Sequence, residues 1–448
     1  MNLLTRLYWT AYLAYHLRPQ ARYAFRPLAH IQRDQARRVQ QMVAYAYRYV
    51  PYYRETMPRL GLTPDDFRTA DDLSRLPLLE RADLQRDPLY FVSTAQPLSR
   101  YLHLRSSGST GAPVSVYWDA AGIFLTRAAG ERSRVIIAQV LGKTAGYREI
   151  AIVNPGGSSQ CIREFSLAHS LSPPGVALRW QWLSLYDSPA DNLARLNEFA
   201  PDVVDGYSSY LEMFFAYIEA TGAPFQRPKV LTYGFDNLSP SARRMIEQGF
   251  GIPTFGIYRA NEAFPLGFEC EQRQGYHLNM DLYPLRIVDG NGKTLPPGES
   301  GDVVISNLVN HGTVLLNYRL GDLATLAPEP CPCGRSLPLL ASLDGRSYDW
   351  IEIRGQKIHP MALHGILKFE EGIWQYQVVQ RTPTEFHIAI VPMETCNREE
   401  IRAHIAAKFA ECFGPDIRTE ITFVRELPRT AGGKVRAVVA LRRDPPSQ

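Results

Sequence analysis

The residues with the most chemical capacity in this sequence lie in five short segments. Arg105-Ser106-Ser107-Gly108-Ser109-Thr110-Gly111-Ala112-Pro113 gathers hydroxyls and small side chains in one loop. There, backbone N–H and side-chain O–H groups can wrap a phosphate without steric obstruction. It is not a Walker loop, because the Gly-Lys-Ser/Thr ending is absent and the loop runs into strand-like Val114-Ser115-Val116-Tyr117 rather than a helix. Tyr258-Arg259-Ala260-Asn261-Glu262 offers an aromatic face, a cation, an amide and a carboxylate in a row. Tyr318-Arg319-Leu320-Gly321-Asp322 ends on a second carboxylate, and Gly345-Arg346-Ser347-Tyr348-Asp349 carries a second cation. Pro428-Arg429-Thr430-Ala431-Gly432-Gly433-Lys434 presents one amine from a glycine pair, which suits a point charge that must enter and leave a site. Taken singly, each segment also reads as a linker, a β-turn or a surface loop.

A sixth group is the set Cys270, His277, Cys331 and Cys333. Together these residues have the donors of a tetrahedral Cys3His zinc site joining two parts of the chain. Cys-x-Cys is not the usual zinc-knuckle spacing, and scattered buried thiols are the alternative.

The elements that must position these groups follow from pattern. With 448 residues, 45% hydrophobic and 21% charged, the chain can bury a large core and divide into two or more units. Apolar runs such as Glu149-Ile150-Ala151-Ile152-Val153 and Val203-Val204 alternate with helix-like Ser209 to Ala220 and Ser239 to Gln248. That alternation predicts an α/β architecture with a largely parallel sheet. From His277 to Leu326, Asp289-Gly290-Asn291-Gly292 and Pro296-Pro297-Gly298 separate short strands, a chemistry that implies antiparallel pairing. Near the N-terminus, Asp34 to Tyr49 predicts a helix stopped by Pro51. A small α+β unit is expected after residue 348: a strand at Ile351 to Ile353, a helix opened by Pro360, strands near Tyr376 to Gln380 and His387 to Val391, a helix from Arg398 to Phe413, and a strand from Ile417 to Val424.

Composition excludes several function classes. Forty-nine Lys plus Arg against 45 Asp plus Glu leave a net charge of only +4, without the basic stripe that nucleic-acid binding requires. Met1 to Arg26 is too interrupted by Arg6, His16, Arg18 and Arg22 to span a membrane. It reads as a helix docked on the protein's own core, with a membrane-surface helix as the alternative. Six irregularly placed cysteines form no disulfide framework, so the cytoplasm is the default location.

Taken in order, the five segments resemble the motifs of the adenylate-forming superfamily. Val50-Pro51-Tyr52-Tyr53, the Glu269-Cys270 pair with His277, and Cys331-Pro332-Cys333-Gly334-Arg335 look like the phenylacetate–CoA ligase and CapK-like branch. The resemblance implies a large adenylate-forming domain over 1–348 and a mobile lid over 349–448, with Asp349 at the hinge. It implies ATP and Mg²⁺ as reactants, with CoA or a carrier-protein phosphopantetheine as the acceptor thiol. By that resemblance Ser107, Ser109, Thr110 and Gly111 meet phosphate, Tyr258 meets adenine, Asp322 and Arg346 meet ribose and phosphate, and Glu262 holds Mg²⁺. Asn261 stands where the family more often has Thr or Ser beside the α-phosphate, and Lys434 matches the lysine of the adenylation step. Tyr207, Ser208, Tyr233, Gly234, Arg259 and Ala260 fall on segments that line the acyl pocket, where tyrosines favour a planar or aromatic acid.

Three positions depart from the family pattern: Ala112 replaces a common Lys, Arg259 a usual Gly, and Tyr233-Gly234-Phe235-Asp236 a Gly-Glu pair. Arg259 has two readings, a residue that narrows the acyl pocket or a partner for an anionic substrate group. A carrier-protein loading enzyme and a non-catalytic binding or assembly protein are the other functional readings. A homodimer is compatible with the sequence.

Overall fold

The computed structural model describes residues 2–105, 114–171, 179–234, 238–346, 351–353, 356–358, 363, 366–367, 370, 372–393, 396–428 and 438–440. Helix α1 (Leu3–Leu17) and the short α2 (Gln20–Tyr23) lead into α3 (Leu28–Tyr49). Along α3 the buried residues are Ile31, Gln35, Val39, Met42, Val43 and Ala46, the single inward stripe of an amphipathic helix. Pro51 does end α3, but it also opens a second helix, α4 (Pro51–Arg59), at the first-turn position that a residue without N–H tolerates.

A two-stranded ribbon, β1 (Leu102–Arg105) and β2 (Ser115–Trp118), precedes the main sheet. Five parallel strands follow: β3 (Arg148–Val153), β4 (Arg179–Ser184), β5 (Val203–Tyr207), β6 (Val230–Gly234) and β7 (Thr254–Ala260). All of β6 and the last four residues of β3 are buried, as strands covered on both faces require. The antiparallel strands are β8 (Ala263–Glu269), β9 (Tyr276–Leu278), β10 (Leu285–Val288), β11 (Ser300–Ile305), β12 (Tyr318–Leu326) and β13 (Leu339–Arg346). They do not form a sheet of their own. One 11-stranded sheet runs in the order β4-β3-β5-β6-β7-β8-β9-β13-β12-β11-β10, and its direction rule changes between β7 and β8.

Beyond a small β14 (Ile351–Ile353) and β15 (Gln356–Ile358) pair, β16 (Ile373–Thr382), β17 (Glu385–Pro392), β18 (Arg418–Phe423) and β19 (Val438–Val439) make a four-stranded sheet. The helix Arg398–Phe413 buries Ile401, Ile405, Phe409 and Phe413, and a separate apolar cluster forms wholly from residues 351–438. Gln375 Nε2 reaches Glu212 Oε2 of the large unit at 2.7 Å. The helix expected at Pro360 falls largely outside the described residues. The stretch Ser239–Gln248 is one turn of α-helix, Pro240–Arg244, continued by a π-turn over Met245–Gly249.

A buried ion pair joins the helix Glu131–Leu141 to the loop after β9 and is flanked by α2. Arg132 Nη1 and Nη2 donate to the two oxygens of Asp281 at 2.7 and 2.9 Å, both side chains being 1% exposed. Asn279 Oδ1 and Gln20 Oε1 take further N–H groups of Arg132 at 2.9 and 2.8 Å, and the guanidinium lies 4.1 Å from the ring centre of Tyr23. Burial alone would raise the Asp281 pKa; the guanidinium outweighs it and holds the carboxyl below its usual range. Removing one partner leaves an uncompensated buried charge. We expect Asp281→Ala to lose about 3–5 kcal/mol in urea unfolding. Because the folded pKa is the depressed one, this contribution is present above the ordinary carboxylate pKa and fades as pH falls through the folded value. A variant within about 1 kcal/mol of wild type at neutral pH would remove the pair from the stabilising core.

Candidate active site

Strands β5, β6 and β7 are parallel neighbours, so their C-terminal ends emerge along one edge of the sheet, the edge where open α/β sheets bind ligands. Tyr207, Ser208, Tyr233, Gly234, Tyr258, Arg259 and Ala260 all lie at those ends. Gly234 admits no side chain, because a Cβ there would stand 2.6 Å from the carbonyl oxygen of Ile257. Tyr207 is 8% exposed and Ser208, which opens the helix Ser208–Thr221, is buried.

The β7–β8 connection is a two-residue turn, with Ala260 opposite Ala263 and only Asn261-Glu262 between them. Two contacts suspend it by its main-chain oxygens. Trp118 Nε1 donates to the Asn261 carbonyl at 3.0 Å, and Asn307 Nδ2 donates to the Glu262 carbonyl at 2.7 Å. Glu262 is thereby held in a largely buried position. Trp118 closes β2, the strand that follows the Ser/Gly-rich loop. That strand is itself tied down by Thr313 and Asn310: Thr313 N–H donates to the Tyr117 carbonyl at 2.7 Å, and Asn310 Nδ2 to the same oxygen at 2.9 Å.

Tyr258 donates its hydroxyl to Asp322 Oδ2 at 2.8 Å, which brings the aromatic and the carboxylate from separate segments into one site. Asp322 on β12 stands opposite Arg346 on β13 in the strand register. Arg259 reaches both oxygens of Asp205 on β5, each at 3.0 Å. Tyr233 donates its hydroxyl to Glu269 Oε2 at 3.1 Å, inside a cluster that adds Arg243 Nη1 at 3.0 Å from Glu269 Oε1 and the Gly256 N–H at 2.6 Å from Oε2. Burial, with Tyr276 and Glu269 nearby, pushes the Tyr233 phenol upward, so it stays a neutral donor. Ser107, Ser109, Thr110, Gly111, Asp349 and Lys434 lie outside the described residues, as do Ala112, Phe235 and Asp236.

Sequence reading missed Trp118, Asn307, Asn310, Asp205, Glu269 as a carboxylate brace, and Arg243. The one local signal was the pair of amides in Asn307-Leu308-Val309-Asn310-His311-Gly312, set inside an otherwise apolar stretch.

Cys270, His277, Cys331 and Cys333 converge, with all ligand atoms within 4.8 Å of one another. Cys270 Sγ and Cys331 Sγ are 3.7 Å apart, and Cys333 Sγ is 3.3 Å from His277 Nε2. The sulfur pair is unbonded at that distance and matches the edge of about 3.8 Å that tetrahedral Zn–S bonds of about 2.3 Å would give. His277 Nδ1 lies 3.3 Å from the Leu337 carbonyl, an arrangement that turns Nε2 toward the thiols. Backbone N–H groups of Gln272 and Arg335 point at Cys270 and Cys333 sulfur, at 3.4 and 3.5 Å. Burial lowers the His277 pKa to about 4, keeping a neutral imidazole, and raises the Cys270 thiol to about 12. The convergence of three thiols with a neutral imidazole fits a zinc ion, which would have to displace the Cys270 proton on binding.

Comparison with known proteins agrees with this geometry. Residues 351–440 match the family described as the CapK C-terminal domain. The chain is 26% identical to the phenylacetate-coenzyme A ligase of Thermus thermophilus over 446 residues, covering 91% of this chain and 96% of that protein. It is 20% identical to protein CapK of Staphylococcus aureus, covering 90% and 88%. A crystal structure of 2-hydroxyisobutyryl-CoA ligase in its postadenylation state superposes with a TM-score of 0.73 at 20% identity, covering 94% of this chain and 92% of that one. The fold is the one seen in that CoA ligase. The relatives matched along most of the chain include phenylacetate-coenzyme A ligases and CapK, and the C-terminal match is to the CapK C-terminal domain.

The turn at Asn261-Glu262 depends on Asn307, whose Oδ1 also accepts the N–H groups of Val309 and Asn310 at 3.0 Å each. Asn307→Ala leaves buried groups without partners. We expect a loss of about 2–4 kcal/mol in urea unfolding, with a smaller loss for Asn307→Asp, which keeps the two acceptor contacts. Equal losses in the two variants would show that the two acceptor contacts carry no weight and that the Glu262 contact accounts for the whole loss.

Proposed function

We propose that this chain is an AMP-forming acid–thiol ligase that activates an aryl or arylacetic acid and passes the acyl group to CoA. The observation that carries the reading is the convergence of Tyr258 with Asp322 at the C-terminal ends of the parallel strands, beside the suspended Asn261-Glu262 turn. In the first step the substrate carboxylate attacks the α-phosphate of ATP and pyrophosphate leaves. In the second the thiol attacks the acyl carbonyl and AMP leaves.

The site must neutralise and align two anions in the first step. We assign Ser107, Ser109, Thr110 and Gly111 to the phosphates, Tyr258 to adenine, and Asp322 and Arg346 to the ribose and its phosphate. Asn261 donates to the α-phosphate. Glu262 would supply a hard oxygen ligand for Mg²⁺, which would offset phosphate charge there. Lys434 contributes the charge that meets carboxylate and α-phosphate while the adenylate forms, and Asp349 is the hinge on which the unit carrying it turns.

Support for an aryl acid comes from Tyr207 at the strand ends and from the phenylacetate-named relatives. Arg259 is matched by Asp205, which favours a residue that narrows the pocket over one that binds a substrate anion. The test compares acid-dependent ATP–pyrophosphate exchange with thioester formation from a presynthesised acyl-adenylate. We expect faster exchange with phenylacetate than with a long-chain fatty acid, and Lys434→Ala to slow exchange by about 10²-fold or more while sparing the second step. No exchange with any acid overturns the activity. Equal losses in both steps, with an intact circular dichroism spectrum, remove Lys434 from adenylation alone.

We also propose that Cys270, His277, Cys331 and Cys333 hold one structural Zn²⁺. Two ligands come from the end of β8 and from β9, and two from the loop between β12 and β13. The ion would cross-link the antiparallel half of the sheet, with no part in the chemistry. Elemental analysis should find one zinc per chain, and Cys331→Ser should lose both the metal and thermal stability. Metal-free protein of undiminished stability overturns the assignment.

A further inference from the structure

Helix α1 carries apolar side chains on its outward side as well as its inward one. Its inward side carries polar contacts: Arg6 Nη2 donates to the Ser170 carbonyl at 2.9 Å, and Thr10 Oγ1 accepts the Leu171 N–H at 2.8 Å. Trp9 adds a ring stack on Phe124 at 5.1 Å. Its outward side is Leu3, Leu4, Leu7, Tyr8, Ala11 and Tyr15, with Leu4 76% and Tyr15 75% exposed. A helix that belonged only to this protein's surface would show a polar outward side.

Charge identifies the occupant of that face. Residues 1–50 hold eight arginines against the single acid Asp34, a net +7, whereas the remaining 398 residues hold 41 basic and 44 acidic groups, a net −3. Arg18, Arg22 and Arg26 are exposed at the C-terminal end of the apolar stripe. A second copy of the chain, packed by two-fold symmetry, would set this basic segment against itself. An anionic bilayer surface complements both the apolar stripe and the arginines, and tyrosines such as Tyr8 and Tyr15 suit the headgroup level. With 15 residues, α1 is about 22 Å long, too short to cross the hydrocarbon core of about 30 Å, so it would lie in the interface.

We propose that α1, with Arg18, Arg22 and Arg26, is an interfacial anchor that lays this protein on a bilayer containing anionic lipid. The proposal is independent of the acyl chemistry. The full-length protein is sedimented with vesicles of phosphatidylcholine alone, or of phosphatidylcholine with phosphatidylglycerol, at low and at high salt. Wild type should be retained on the anionic vesicles and released by salt. Leu4→Asp/Leu7→Asp, and separately Arg18→Gln/Arg22→Gln/Arg26→Gln, should each weaken retention by about tenfold or more. Both sets of residues are exposed, so circular dichroism and melting should match wild type. No retention of wild type, equal retention on neutral vesicles, or retention indifferent to both variants overturns the proposal. So does light scattering that finds a dimer dissociated by Leu4→Asp/Leu7→Asp without vesicle binding, since a second copy would then be the occupant.

Discussion

The site depends on a two-residue turn at the place where the sheet changes its rule. Strand β7 is parallel to β6 but antiparallel to β8, and only Asn261 and Glu262 separate β7 from β8. With so short a connection, a slip of one residue would turn every side chain of a strand to the other face. Trp118 and Asn307 then fix the turn by its carbonyls, so its place in space is set by main-chain contacts. Those two residues come from β2 and from the loop after β11, which bracket the Ser/Gly-rich loop and the approach to Asp322. Chemistry-bearing segments far apart in sequence thus share one pair of anchors.

Charge placement around the turn follows the same economy. Arg259 leaves β7 beside the turn and is paired at both oxygens of Asp205, two strands over on β5 rather than on adjacent β6. Tyr233, on the intervening β6, turns its hydroxyl to Glu269 on β8. The two interactions cross the parallel sheet in opposite directions. Neither Arg259 nor Tyr233 can be moved without disturbing a partner two strands away, so the ends of β6 and β7 are braced against each other's neighbours.

Period and turn chemistry made the parallel and antiparallel halves readable. Ile150 to Val153 is buried without a break, and Asp289-Gly290-Asn291-Gly292 follows β10 as expected. What local pattern could not carry is pairing across long separations. Asn307 touches Glu262 across 45 residues and Trp118 touches Asn261 across 143, and nothing within a few positions of either amide or indole encodes its target. Arg132 lies in a helix where an arginine looks like a solvated residue, yet it is buried against Asp281 across 149 residues. Pro51 was readable as a stop but not as a start, because a first-turn proline and a terminating proline look alike when two helices abut. In α1, apolar residues occur on nearly every side, so composition gave a helix without saying which face the core would take.

The end of β8 shows why the two halves of the sheet are not independent modules. Consecutive residues there serve opposite sides. Glu269 accepts from Tyr233 on β6, from the Gly256 N–H on β7 and from Arg243, all belonging to the parallel half. Cys270, the next residue, sets its sulfur 3.7 Å from Cys331, which follows β12, in the cluster with His277 of β9. Successive side chains of an extended chain point apart, so one strand end braces the parallel strands through a carboxylate and the antiparallel strands through a thiol. Tyr258 and Asp322 come one from each half, on β7 and on β12. Their 2.8 Å contact requires the halves to hold a fixed relation, and the Glu269-Cys270 step is one place where the chain enforces it.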